Sequence, residues 1–367
     1  MFTNQSKIID HKHFMHLALM QAHKNLGKTK TNPSVGCIIV KKNSVVSAGC
    51  TGIKGKPHAE YNAIYFNNEK INNSNLYVTL EPCSNYGKTS PCVNLIIKKK
   101  LKKVYFSLKD PDLKSFNKSI KKFKGNGILV NTGILLSRVN YFYRSYHRFK
   151  KKLFPFVTCK LAVSRDLYSI SIKKRWITNL YSRKRGHLIR SNHDCILTSS
   201  KTVIDDNPML TCRINGLNDQ SPARIILDSK LKIPLKSNVI KNASKFKTII
   251  FYNKYKKNKI NKLKKLNISL FKISLNIKGG IDLKKALVKT KKLGFSRILL
   301  ESGITLTTDF LKEKLVDDFK LFISSKNLKK NGKGNIKKYF KSFLKGKMNE
   351  IERVNLFGDK LLSYKIK

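Results

Sequence analysis

Apolar and polar positions along the chain alternate between helical and strand periods. Phe14, Leu17 and Ala18 follow helical spacing behind Asp10, a residue type that caps helix starts. After the turn sequence T-N-P-S, Val35 to Val40 reads as a buried strand. Lys41 to Ser44 turns the chain into a second strand, Val45 to Ala48. His58 opens a helix with Ala59, Ala63 and Phe66 on one face. Leu76 to Leu80 is a strand broken off by Pro82. Cys92 begins a helix carrying Val93, Ile96 and Ile97, and Val104 to Leu108 is the strand after it. This alternation predicts one α/β domain over the first 145 residues.

The basic run Arg148 to Lys152, just before Phe154 and Pro155, reads as a linker and sets domains at 1–148 and 149–367. Phe156 to Val163 opens the second domain as a strand. Further strands are expected at 196–198, 224–227, 248–252 and 297–301, with helices near 180–191 and 282–292, so this domain is α/β too. Residues 253–267 and 326–341 are rich in Lys and Asn and read as solvated loops or frayed helix faces. No internal repeat is seen. A chain of 367 residues fits two domains. Its 41% hydrophobic and 27% charged residues exclude collagen-like, mucin-like and fully disordered classes.

Charge changes the picture more than composition does. Lys and Arg number 77 against 21 Asp and Glu, a net charge of +56 that first suggests nucleic acid or an anionic membrane surface. The excess is mostly Lys, spread along the whole chain together with Asn and Ile. Compositional drift leaves that pattern, whereas a binding surface clusters its charge, so no specific nucleic-acid partner is expected. Anionic small molecules are still attracted. Seven cysteines, an odd number in a long chain, read as reduced thiols. The N-terminal residues lack a continuous apolar segment, and no window reaches the length of a membrane span. The expectation is a soluble cytoplasmic protein with no membrane partner.

The sharpest chemical signal is His58-Ala59-Glu60 followed by Pro82-Cys83 and Pro91-Cys92. One imidazole and two thiolates suit zinc with a fourth position left open, and zinc so held brings the pKa of water toward neutrality. Each ligand is expected at a helix start, where partial positive charge favours thiolate. Glu60 need not be a ligand. It would carry a proton from water to a ring nitrogen and a second to the departing amine, giving hydrolytic deamination of a cytosine-like ring. The H-x-E and Pro-Cys elements are those of zinc deaminases, although eight residues separate the two cysteines where two are usual. The alternative is a closed structural zinc site, which needs a fourth ligand; Cys37 and Cys50 are the open candidates.

These residues carry a resemblance. T-N-P-S-V-G-C-I-I-V (31–40), P-H-A-E (57–60) and T-L-E-P-C-S-N-Y-G-K-T-S-P-C (79–92) resemble the bifunctional riboflavin-biosynthesis deaminase/reductases, whose long cysteine spacing includes the counterparts of Gly87, Lys88 and Thr89. W-I-T at 176–178, the stretch from Thr198 to Arg213, I-I-L-D-S (225–229) and L-L-E-S-G-I-T-L (299–306) resemble the family's second half, in the same order. The resemblance covers roughly residues 10 to 325 and a short strand near Leu361. It implies a cytidine-deaminase-like domain followed by a dihydrofolate-reductase-like domain. The first would deaminate a diaminopyrimidinone bearing phosphoribosylamine. The second would use NADPH to reduce the ribosyl group to a ribityl chain.

Carried over residue by residue, the resemblance makes His58, Cys83 and Cys92 the zinc ligands and Glu60 the proton shuttle. Ala162, Trp176, Thr202, Asp206 and Ser229 fall at NADPH-contact positions. So do Gly303, Ile304, Thr305, Leu306 and Thr307, at a helix start suited to phosphate. Arg190, Leu210, Arg213 and Glu301 fall at substrate positions, and Asn32 at a further contact in the deaminase. Each has a plainer reading: Trp176 as a core or interface aromatic, Asp206 as a cap or turn residue, Ser229 as the close of a strand turn, Gly303 as a helix-entry glycine, Arg190 and Arg213 as surface charge, Glu301 as half of a structural ion pair.

The chain departs from the family in three places. Leu167 replaces a turn glycine, costly if that turn needs positive φ. The loop before Trp176 is short and carries Lys173, Lys174 and Arg175, and Asp110-Pro111-Asp112 lacks its glycine-bearing continuation. Three other readings stand beside the two-step enzyme: an active deaminase with a decayed reductase, suggested by Leu167 and the short loop, a basic RNA-binding base deaminase, suggested by the net charge, and a structural zinc protein. The sequence leaves the oligomeric state open, with a homo-oligomer among the outcomes.

Overall fold

The computed structural model describes residues 10–66, 70–86, 90–111 and 118–367, apart from the side chains of Lys338, Phe340 and Lys341. The chain forms two compact units, Met1–Lys152 and Leu153–Lys367.

The first unit runs α1 (His11–His23), β1 (Gly36–Lys41), β2 (Ser44–Cys50), α2 (Ala59–Tyr65), β3 (Asn75–Leu80), α3 (Cys92–Lys98) and β4 (Lys103–Leu108). It continues with α4 (Lys118–Lys124), β5 (Leu129–Thr132), α5 (Leu136–Phe142) and α6 (Arg144–Lys151). Its sheet has the order β2-β1-β3-β4-β5, with β1 antiparallel to both neighbours and β3, β4 and β5 parallel. The unbroken apolar run of β1 follows from burial on both faces. Cys37 and Ile39 join one core with Ala22, Ala59 and Ala63, while Ile38 and Val40 join another with Phe14, Met15 and Tyr77. Gly49 lets α2 approach closely, because a Cβ there would strike the Ala59 carbonyl. That contact fixes the height of the α2 start, where His58 stands. Asp10 caps α1 by accepting from the His13 N–H at 3.0 Å.

The second unit comprises β6 (Phe156–Val163), β7 (Tyr168–Ser171), α7 (Leu180–Ser191), β8 (Cys195–Ser199), α8 (Ser200–Asp206), β9 (Ala223–Leu227), α9 (Asn238–Lys241) and β10 (Thr248–Tyr252). It continues with α10 (Lys257–Lys265), β11 (Ile268–Lys272), α11 (Leu283–Lys292), β12 (Arg297–Glu301), α12 (Ile304–Lys312) and β13 (Asp318–Ile323). The last elements are β14 (Gly332–Asn335), α13 (Lys337–Leu344), β15 (Asn349–Ile351) and β16 (Lys360–Lys365). Nine strands form one sheet in the order β11-β10-β9-β8-β12-β6-β13-β16-β15, parallel until β16 and β15 add antiparallel edges. β7 and β14 form a separate pair. Alternate residues of the central strands feed two cores, with Leu197, Leu300 and Cys159 on one face and Ile196, Leu299 and Phe322 on the other.

One row across the second face is polar instead. Glu301 on β12 pairs with Lys160 on β6, Lys160 with Lys320 on β13, and Lys320 with Ser363 on β16. Helix α7 lies over this row through Arg190 to Glu301 and Arg185 to Glu352, and Glu352 also takes Lys320. Several carboxylates are drawn inward: Glu81, Asp110, Asp228, Glu301, Asp317 and Asp359 are buried, while the described lysines stay half-buried or exposed.

The structure corrects one expectation and decides between the alternatives left open in two others. Residues Arg148 to Lys151, expected in a linker, are the last turn of α6, held because Tyr146 one turn earlier is buried against the core. The Lys/Asn-rich stretch 253–267 contains α10, which buries Ile260 and Leu263 and leaves its lysines outside. The stretch 326–341 includes β14 and the start of α13.

Candidate functional site

In the first unit, two helix starts and one extended segment converge. His58 is the N-cap of α2 and Cys92 the first residue of α3. Cys83 was also expected at a helix start, but the described residues around it are extended beyond β3, which ends three residues before it. The α3 terminus serves it instead. The Cys92 N–H donates to Cys83 Sγ at 3.3 Å and the Val93 N–H to the Cys83 carbonyl at 3.2 Å. His58 Nδ1 lies 3.5 Å from Cys83 Sγ and 3.4 Å from Cys92 Sγ, with all three donor atoms within 4.8 Å of one another. A tetrahedral zinc ion with bonds of about 2.3 Å to sulfur and about 2.0 Å to nitrogen sets an N···S separation of roughly 3.5 Å. The donor set therefore fits zinc without rearrangement.

The two thiols act on each other in opposite senses. Hydrogen bonding from Cys92, aided by His58, holds Cys83 well below the usual thiol range, while the same contact and burial push Cys92 up. Glu60, in the first turn of α2, is 4% exposed. Burial pushes its carboxyl up to about 7, against the opposing pull of His58, and it hydrogen-bonds with Cys92. A buried carboxyl placed beside the donor atoms can both take and return a proton. Asn32 commits its amide to the Gly55 carbonyl at 3.0 Å. Gly87, Lys88, Thr89 and the 112–117 stretch lie outside the described residues. Sequence reasoning missed Glu81, whose carboxylate accepts from Ser119 Oγ at 2.7 Å and from the Asp110 N–H at 3.2 Å. Its position between an apolar strand and Pro82-Cys83 was the available signal.

In the second unit, most of the candidate cofactor residues follow the carboxyl ends of parallel strands. Ala162 is near the end of β6, Thr202 in the first turn after β8, Ser229 just beyond β9, and Gly303 to Thr307 directly after β12. Open α/β sheets bind their ligands along this edge. Gly303 is the N-cap of α12, and nothing lies within 4 Å of where its Cβ would be, so the helix start is open to a phosphate. Trp176 is 54% exposed, with the Arg175 and Arg183 guanidinium groups 5.1 and 5.0 Å from its ring. Arg175 also donates to the Asp206 carbonyl at 3.3 Å, linking two candidate cofactor residues. The Ser229 carbonyl accepts the Asn253 and Lys254 N–H groups.

The candidate substrate residues gather around one ion pair. Arg190 meets Glu301 through two parallel bonds, Nε to Oε1 at 2.8 Å and a terminal nitrogen to Oε2 at 2.7 Å. Burial alone would raise the Glu301 carboxyl, but Arg190, with Lys160, brings it down to about 2. Arg190 also donates to the Thr211 carbonyl at 3.0 Å, and Arg213 to Thr211 Oγ1 at 3.3 Å. Leu210 has φ of +52° and its side chain is buried in the core, so it presents backbone rather than side chain. Sequence reasoning missed Lys160 and His187. Lys160 stands opposite Glu301, and burial lowers its pKa. His187 is lowered to about 4 by burial and then by Arg190 and Arg213. A lysine inside the apolar run C-K-L-A-V was the legible signal for the first.

Leu167 does adopt positive φ, +66°, in the turn between β6 and β7. The turn persists because Ser164 and Asp166 brace it. Ser164 Oγ donates to Asp166 at 2.6 Å and accepts the Tyr168 N–H, and Asp166 takes the Leu328 and Lys329 N–H groups. Leu167 itself packs against the core, offsetting part of the left-handed cost.

Comparisons with known proteins agree with this geometry in both units. Residues 8–108 match the cytidine and deoxycytidylate deaminase zinc-binding region, and residues 155–354 match the RibD C-terminal domain. The riboflavin biosynthesis protein RibD of Aquifex aeolicus is 35% identical over 86% of this chain and 87% of its own length. That of Bacillus amyloliquefaciens is 32% identical over 85% and 84%. Among solved structures, Acinetobacter baumannii RibD aligns with a TM-score of 0.82 at 26% identity, covering 97% of this chain and 98% of that one. A Thermotoga maritima diaminohydroxyphosphoribosylaminopyrimidine deaminase/5-amino-6-(5-phosphoribosylamino)uracil reductase aligns at 0.81 and 27% identity, covering the same shares.

Proposed function

This chain belongs to the RibD family of riboflavin-biosynthesis deaminase/reductases, and on that premise we propose which of its residues perform the two reactions. It is a bifunctional enzyme of that pathway, with zinc and NADPH as cofactors and a small phosphorylated pyrimidine as substrate. The unit Met1–Lys152 is the deaminase and Leu153–Lys367 the reductase, a boundary that falls after α6 and not at 148/149. The observation that carries the assignment is the set of three donor atoms at tetrahedral spacing beside buried Glu60.

His58, Cys83 and Cys92 hold the zinc ion. Zinc, when bound, makes water a nucleophile near neutral pH. Glu60 takes the proton that water gives up, delivers it to the pyrimidine ring nitrogen, and passes a second to the amino group, which leaves as ammonia. Water is consumed, and the ring carbon exchanges an amine for an oxygen. Replacing Cys92 with serine should weaken zinc binding beyond the roughly 10–100-fold that follows loss of an outer-shell partner. Competition with a chromophoric chelator reads this directly, and unchanged affinity would remove Cys92 from the site.

In the second unit, Ala162, Trp176, Thr202, Asp206, Ser229 and the Gly303–Thr307 helix start bind NADPH. Arg190, Leu210, Arg213 and Glu301 bind the phosphoribosylamino substrate. NADPH, when bound, would supply a hydride to the ribosyl C1; the bond from C1 to the ring oxygen breaks, that oxygen takes up a proton from solvent, and the sugar becomes a ribityl chain. The braced turn around Leu167 favours a working reductase over a decayed one. A cytoplasmic setting is part of this reading: the cysteines form no disulfide, and a reducing compartment keeps Cys83 and Cys92 available for metal.

A coupled assay tests both halves. The substrate 2,5-diamino-6-hydroxy-4-(5-phosphoribosylamino)pyrimidine is supplied, and ammonia release and NADPH oxidation are followed separately. Both signals are expected. Ammonia without NADPH oxidation would mean a lost reductase, and neither signal from zinc-loaded protein would overturn the assignment.

A further inference from the structure

The loop that carries Trp176 is tied to the far end of the chain. Asn179 caps α7 by accepting the Ser182 N–H at 3.0 Å. Its amide donates in turn to the carbonyls of Leu356 at 2.6 Å and Phe357 at 3.1 Å. Asp359, two residues on, is 7% exposed and faces three donors. One oxygen accepts the Asn179 N–H at 2.9 Å and the Ser182 hydroxyl at 2.7 Å, and the other accepts the Ser325 N–H at 3.1 Å. Phe357 stacks on Tyr181 with centroids 3.9 Å apart. Arg183, in the same first turn of α7, donates to the Thr178 carbonyl at 3.0 Å and stacks over the Trp176 ring.

The tightness of this clamp has a local cause. Phe357 and Gly358 both have positive φ, +50° and +90°. The turn before β16 is thereby bent so that two successive carbonyls, from Leu356 and Phe357, reach one side-chain amide. Leu356 is buried in the core and anchors the turn. Asp359 is buried against N–H and O–H groups, so removing its acceptors leaves the Asn179 and Ser325 N–H groups unsatisfied. The segment lies beyond residue 354, where the match to the family's reductase domain stops.

We infer that the 356–359 turn is a working part of the cofactor site, and that Asp359 is a positioning residue which sets the Trp176 loop against NADPH. The inference rests on the reading that Trp176 contacts the cofactor. Asp359 touches neither substrate nor NADPH in this account. It acts through the Asn179 N–H and the start of α7. Its loss should therefore loosen cofactor binding more than it slows hydride transfer.

Trp176 is the only tryptophan in the chain, so its fluorescence reports this loop alone. The experiment compares the full-length, zinc-loaded wild type with Asp359→Ala, Asn179→Ala, their double variant and Trp176→Ala. It measures KM for NADPH, kcat of the reductase, and quenching of Trp176 by NADPH where the tryptophan is present. Asp359→Ala is expected to raise KM for NADPH about tenfold with kcat within about twofold, and to shift the Trp176 emission. Asn179→Ala should do the same, and the double variant should be little worse than either single one, because both cut the same clamp. If Asp359→Ala does not fold, Asn179→Ala carries the test alone. A fall in kcat at constant KM with unshifted emission would make Asp359 a merely structural residue and overturn the inference. Unchanged KM in Trp176→Ala would instead sink the cofactor-contact reading, and the inference with it.

Discussion

Glu60→Gln should abolish ammonia release while the protein keeps its zinc. Glutamine preserves the size of the buried side chain but cannot accept or return a proton. The expected loss is about a thousandfold or more, within the 10²–10⁴ range of general acid–base catalysis. The environment explains why this one residue matters. Glu60 is buried in the first turn of α2, beside the His58 cap, and its carboxyl is pushed up to about 7. The measurement is ammonia release at matched zinc content, with NADPH oxidation checked on the deaminated intermediate. That second activity should be untouched. A variant retaining wild-type ammonia release would remove Glu60 from the proton path, and one that lost zinc would make it a ligand.

Arg190→Ala should cost the second unit both stability and reductase activity. The side chains of Arg190 and Glu301 are 16% and 10% exposed, and their bonding is bidentate. Removing one partner of a buried pair leaves the other uncompensated, at about 3–5 kcal/mol. Reductase kcat/KM should fall by about a hundredfold or more, since Arg190 also serves the substrate. The double variant Arg190→Leu/Glu301→Leu separates the two effects: stability should return in part, because the broken pair is gone and only Lys160, opposite position 301, loses its carboxylate, while activity should not return. Urea unfolding with parallel reductase assays reads both, and a double variant as unstable as the single one would defeat the ion-pair account. The same pair sets an acid limit. Glu301 is held at about 2, below its ordinary 4.5, so its stabilisation is complete above about 4.5 and fades as pH falls toward 2. Glu352, also held at about 2 by Lys320 and Arg185, adds loss in the same window.

Much of this was legible in the chain because the chemistry was local. His58, Glu60, Cys83 and Cys92 stand in short motifs, and zinc constrains residue type strongly. The strands at 156–163, 248–252 and 297–301 were visible as apolar runs, since a parallel sheet buries both faces. What escaped depends on register or long reach. Lys160 gains its meaning from standing opposite Glu301, a pairing across 141 positions of sequence that periodicity does not encode. The Asn179–Asp359 contact joins residues 180 apart. Cys83 was misplaced at a helix start because its stabilising N–H comes from α3, nine residues later. Leu167 was read correctly as a strained substitution, but the bracing by Asp166 from the Leu328 and Lys329 backbone was invisible in sequence.

The inward placement of carboxylates under a lysine-rich surface has a consequence for traffic between the two reactions. A coat of one sign gives the molecule a positive field reaching about 10 Å into 0.1 M salt. The deaminated intermediate keeps its phosphate, so it leaves the first unit as an anion inside that field. Its escape to bulk solution would then be opposed by that field. Retention of an anionic intermediate by such a surface would weaken as ionic strength rises.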